Sequence, residues 1–188
     1  MQKRIIALSI AYAGLLLTGQ SAFAATGHTN NSINVQVNNK NIKGGIQAAA
    51  GDNAKFFANG QYSDDSGTLA QVGAEFVGNS DPISFGFGSK AVFLDAKDHR
   101  NGGVVALGGH VSYQLNDRLK ATAETYYAPD LLSFHHIDRY MQYGAKASYM
   151  AVDNVDVVVG WRRTTFGYNA GPDLRYENNF YLGTDYNF

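Results

Sequence analysis

Cysteine is absent from the 188-residue chain, so no disulfide framework can hold the fold and no lipid-modified cysteine can anchor it. Proline is scarce at 3 residues, and only 16% of the side chains are charged. The 15 Lys and Arg against 16 Asp and Glu leave no basic surplus, which argues against nucleic acid as a partner. Beyond residue 24 no apolar run approaches the roughly 18 residues of a membrane helix.

The one long apolar stretch lies at the start. Lys3 and Arg4 precede Ile5 to Leu17, and Ala22-Phe23-Ala24 follows as a small-x-small site. That is the three-part layout of a secretory signal peptide, with an apolar core too short to span a bilayer comfortably. Cleavage is expected after Ala24, leaving residues 25–188 as one exported domain.

What the chain has in abundance is glycine and aromatics: 21 Gly, 12 Tyr and 11 Phe. These disfavour helix and suit strands that pack rings against small neighbours. From Asn31 onward the pattern alternates with period two. It predicts ten strands, at 32–38, 41–50, 54–62, 69–77, 83–94, 103–113, 119–127, 140–149, 155–164 and 176–188. An eight-stranded version, with the first hairpin outside the sheet, is the alternative. Short connections at 51–53, 78–82, 114–118 and 150–154 alternate with mostly longer ones at 63–68, 95–102, 128–139 and 165–175. Short turns at one end and long loops at the other are the layout of an up-and-down antiparallel transmembrane β-barrel.

The two strand faces sort cleanly. One carries residues such as Ile46, Phe56, Val72, Phe87, Val111, Val157 and Val159, with aromatics near the strand ends and one charge, Arg163. The other carries Lys43, Lys55, Glu75, Lys90, Lys120, Lys146, Asp156, Arg162 and Asp185, with His110 among them. Glycines crowd this second face, Gly73, Gly86, Gly108 and Gly160 included. A soluble sandwich also alternates, but its water-facing surface gains little from glycine. A narrow lumen full of long charged chains needs small neighbours. The charged face is therefore read as a lumen, either cross-linked and plugged or open as a narrow, weakly anion-preferring pore.

The last strand, with Phe180, Leu182, Tyr186 and Phe188 on one parity, is expected to pair with the first and close the barrel. An alternating strand ending in Phe188 also resembles the terminal signature of bacterial outer-membrane proteins. That likeness implies recognition by the barrel assembly machinery, with periplasmic chaperones and outer-membrane lipid as further partners.

"ETYYAPDLLS" at 124–133 and "YGAKASYMAVDNVDVVVGWR" at 143–162, together with "YSDDSG" at 62–67, resemble the YfaZ family of predicted outer-membrane proteins. The likeness is strongest from about residue 54 onward. It implies an exported outer-membrane barrel and carries no catalytic or ligand residues.

Candidate chemistry is sparse. His110 and Ser112 share one strand face, and Glu124 has the same orientation on the next strand. A tight turn at 114–118 would place His110 near Thr122 and one pair from Glu124. Such a trio could make an activated nucleophile in a lipid- or peptide-modifying enzyme. The competing reading is a lumenal polar network. His135, His136 and Asp138 offer metal-ligand types, yet they sit together in a loop without strand-spaced partners, so a solvated loop is expected. Leu131, Leu132 and Phe134 beside them suggest that the loop covers the barrel mouth or meets lipid headgroups. "GFGSKA" at 86–91 fits a dinucleotide fingerprint only formally, because strand alternation continues through Phe93 where a helix should begin. No cofactor and no metal are expected. The leading function is a non-enzymatic outer-membrane barrel with a structural, interaction or narrow-pore role.

Overall fold

The structure is a computed structural model that describes residues 31–97 and 100–188. The proposed signal peptide lies outside the described residues. The strands are β1 (Ser32–Val37), β2 (Asn41–Ala49), β3 (Ala54–Ser63), β4 (Gly67–Ser80), β5 (Ile83–Ala96) and β6 (Gly102–Asn116). They continue as β7 (Leu119–Ala128), β8 (Ser133–His135), β9 (Ile137–Val152), β10 (Val155–Tyr168) and β11 (Leu174–Asn187).

Ten of these strands form a closed antiparallel barrel. Each pairs with its sequence neighbour, β7 passes directly to β9, and β11 returns to β1 with Val35 opposite Thr184. The first hairpin therefore belongs to the wall, and the eight-stranded alternative is corrected. The Phe188 N–H donates to the Asn31 carbonyl at 2.9 Å, extending the closing seam. Closure leaves no unpaired strand edge, which hydrocarbon would penalise by several kcal/mol for each group.

Two details differ from expectation. The connection after β3 is a tight turn at 64–66, held where the Ser66 N–H donates to Ser63 Oγ at 3.2 Å. Gly67 leaves this turn at φ +105°, a region that a side chain would strain. The 128–139 segment is also more ordered than a plain loop. A short 3₁₀ turn over Asp130–Leu132 leads into β8, which pairs antiparallel with the start of β6.

Side-chain direction follows from strand pleating. Phe76, Phe87, Phe93, Val159 and Phe180 all point outward and are more than half exposed. The same parity puts Lys90, Glu75, Arg162 and Gln142 inside, each at most 5% exposed. A soluble domain would not leave that apolar belt in water. Trp161 and Tyr143 pack edge to face on the outer surface at 5.6 Å, and the Arg163 guanidinium lies 6.0 Å from the Tyr143 ring centre. Arg163 thus sits in the aromatic band toward the long-loop end, as do the outward Asp95, Arg139 and Arg175 near their strand ends, where a charge near the interface costs little.

Candidate functional site: a polar chamber closed at one end

The inside of the barrel is divided along its axis. From the short-turn end a polar chamber of about 710 Å³ rises between the strands. Lys43, Lys55, Glu75, Lys90, Lys120, Lys146, Asp156, Arg162 and Asp185 all line it, as do His110, Ser112 and Glu124. Glycine makes room for these chains. A Cβ on Gly160 would lie 2.6 Å from the Tyr181 ring, and one on Gly73 would lie 2.6 Å from Phe57.

The charges are cross-linked. Glu75 Oε2 lies 2.8 Å from Lys55 Nζ and 3.2 Å from His110 Nδ1, and Tyr126 donates its hydroxyl to the other carboxylate oxygen. Lys146 meets Asp185 at 3.3 Å. Arg162 is the hub, 3.3 Å from Glu124 and 3.5 Å from Glu177, with a further hydrogen bond to Gln36. Lys90 donates to Gln142 at 2.9 Å and stands 4.0 Å over the Tyr126 ring. Ring and amide each offset part of the cost of burying this ammonium.

Above this layer the lumen turns apolar. Leu69, Val92, Leu94, Val104, Ile137, Tyr140, Phe166 and Tyr176 form one buried cluster, all on the inward-facing side. Phe166 packs between Tyr140 and Tyr176, with ring centres 5.0 and 6.2 Å apart. Leu132 of the 3₁₀ turn leans onto the cluster, whereas Leu131 is 89% exposed. The sequence reading did not find this plug. Its signal was present, because "AVFL" at 91–94 and "GGVVAL" at 102–107 are apolar on both parities, as expected of strand ends covered on both sides. Tyr176 had no such signal: a bulge between the Thr164–Glu177 and Thr165–Arg175 pairs turns both Tyr176 and Glu177 inward.

The candidate nucleophile group is not assembled. Ser112 stands opposite Thr122, with their hydroxyl oxygens 2.8 Å apart. His110 is opposite Glu124, not Thr122 as expected, because β6 runs on to Asn116 and the turn closes at 117–118 rather than around 116. The imidazole nevertheless faces Glu75, while Glu124 accepts from Gln142 and Arg162. Ser, His and carboxylate each engage a different neighbour. His135, His136 and Asp138 lie at the long-loop end, and among the described residues no group of three metal-ligating side chains gathers. "GFGSKA" is continuous strand within β5. Phe180, Leu182, Tyr186 and Phe188 all face outward, Tyr186 stacked on Phe188 at 6.0 Å.

A family model described as YfaZ precursor matches residues 5–188. The chain belongs to the YfaZ family. It is 27% identical over 131 residues to outer membrane protein YfaZ of Escherichia coli K12, covering 69% of this chain and 72% of that protein. Among solved structures, the outer-membrane protease OmpT of Escherichia coli matches with a TM-score of 0.60 at 11% identity. That match covers 89% of this chain and 99% of OmpT. The NanC porin matches with a TM-score of 0.53 at 9% identity, over 85% of this chain and 100% of the porin. At such identities both show the barrel fold alone. This YfaZ-family chain is thus an outer-membrane β-barrel.

Proposed function

We propose that the protein is a non-enzymatic outer-membrane barrel holding a polar chamber that opens to the periplasm and is closed at rest on the outer side. Outer-membrane lipid surrounds its apolar belt. Periplasmic chaperones and the barrel assembly machinery act on it during biogenesis, the latter through the outward row from Phe180 to Phe188. One observation carries the closed-chamber reading: the lumen is polar over one half and filled by the Val92–Phe166 cluster over the other. The separate partners of Ser112, His110 and Glu124 favour the non-enzymatic reading over an acyl-transfer or hydrolytic one.

The absence of cysteine makes the test clean. Gln47→Cys, lining the chamber, should react quickly with a small charged thiol reagent added from the short-turn side. Val92→Cys, in the plug, should react slowly from either side. Equal, fast reaction at both positions would mean that the barrel is open throughout.

A further inference from the structure

The outer half of the lumen is not apolar all the way round. The plug residues come from the arc β4 through β10 and from Tyr176. On the remaining arc, from β11 across β1 and β2 to β3, the buried inward positions are Gln36, Asn41, Gln61, Ser63 and Glu177. A second cavity of about 210 Å³ lies on this side at the long-loop end, touching Asn41, Ser63, Arg175 and Glu177. The chamber below reaches Gln36, Lys43 and Arg162. Arg162 of the chamber and Glu177 of the second cavity form an ion pair at 3.5 Å, and Glu177 also accepts from Gln61 at 3.1 Å and from Asn38 at 3.2 Å. The wall is also lowest here. β1 has 6 residues and β2 has 9, against 14 in β4, β5 and β10.

The available charge in the chamber below this seam has one sign. Each inward carboxylate already holds a donor: Glu75 has Lys55, Glu124 and Glu177 share Arg162, Asp185 has Lys146, and Asp156 has the Asn187 amide. Lys43 and Lys120 line the chamber with no hydrogen-bond or salt-bridge partner among the described residues. Buried amide atoms are likewise free, both on Asn41 and one on Asn34. Polar groups buried without partners cost stability and ask for an explanation. Water in the chamber or a hydrophilic solute passing along them satisfies such groups.

We propose that this β11–β1–β2–β3 seam is a route across the barrel for small organic anions bearing a carboxylate, and that Arg162–Glu177 is its gate. The proposal rests on the periplasm-facing chamber described above. Lys120 and Lys43 attract the solute. Its carboxylate then takes the place of the Glu177 carboxylate on the Arg162 guanidinium, whose planar fork suits that group. Released from Arg162, Glu177 leaves the passage between the two cavities open.

The test is single-channel recording in planar bilayers with potassium chloride, on protein whose folding is checked by heat-modifiable gel migration. Glu177→Gln and Glu177→Ala should both raise the frequency of open events on the order of tenfold, as expected for loss of a charge-assisted hydrogen bond from the closed state. Their reversal potential in a salt gradient should show anion preference, and adding Lys43→Gln should lower that preference severalfold. Succinate should increase openings of the wild type. Leu107→Ala, on the lipid face of β6, should stay as closed as the wild type. The gate is refuted if both Glu177 variants remain silent or if Leu107→Ala opens as readily. The solute class is refuted if the variants prefer cations or ignore Lys43→Gln. Fast labelling of Gln47→Cys alongside silent Glu177 variants would discard the gate and keep the chamber, whereas an unreactive Gln47→Cys would discard both.

Discussion

Phe166→Ala tests the plug most sharply. The ring is fully buried in the lumen and touches Tyr140 and Tyr176. Truncating a buried Phe removes its transfer free energy and leaves a cavity, together costing about 3–5 kcal/mol. The cavity part, roughly 24 cal/mol per Å³, shrinks only where neighbours can collapse. A hydrogen-bonded wall closed on itself has little freedom to do so, and the two flanking tyrosines are fixed on β9 and β11. The loss should therefore fall in the upper part of the range, about three to three and a half decades in the folding equilibrium. The assay is reversible urea unfolding in lipid vesicles, followed by heat-modifiable migration. A shift under about 1 kcal/mol would mean that Phe166 does not fill a packed lumen, and the closed-end reading would fall with it.

The lipid face and the long-loop end each give a further outcome. Val159→Arg places a charge on the lipid face of β10, where Val159 is 53% exposed, and should cost about 2–4 kcal/mol in vesicles if it lies near the midplane; an unchanged unfolding midpoint would contradict the outward assignment. At the long-loop end, the hydrogen bond from Lys40 holds the Asp65 carboxyl below its ordinary pKa, and Asp65 in turn raises Lys40. The contact is therefore complete above the ordinary carboxylate range and below the ordinary lysine range. It loosens as pH falls through the lowered Asp65 value or rises through the raised Lys40 value. Carboxyl NMR titration should show the Asp65 midpoint move up in Lys40→Gln, and an unmoved midpoint would remove the pairing.

Period two carried most of the fold into view. Every barrel strand was legible because outward residues such as Phe76 and Phe87 alternate with inward ones such as Glu75 and Lys90. A one-residue slip would have put Lys90 in lipid, so register and orientation are fixed together. The lining of the chamber was legible for the same reason. What escaped the sequence depends on contacts between distant strands. His110 meets Glu75 across the β5 strand between them, a choice that parity does not encode. Arg162 was visible as an inward charge, but its link to Glu177 depends on a bulge that no residue type announces. The plug was hidden for another reason: apolar residues inside a barrel resemble apolar residues outside it. Only the doubled apolar parity of strand ends like Val92-Phe93-Leu94 separates the two.

Trp161 is the sole tryptophan and sits on the outer surface against Tyr143, which makes it a native probe of which side meets lipid. Folded protein in vesicles of brominated phospholipid should lose most of its tryptophan emission, while aqueous iodide should leave that emission nearly untouched. Full emission in brominated lipid together with ready quenching by iodide would place the apolar face in water and contradict the barrel's orientation in the membrane.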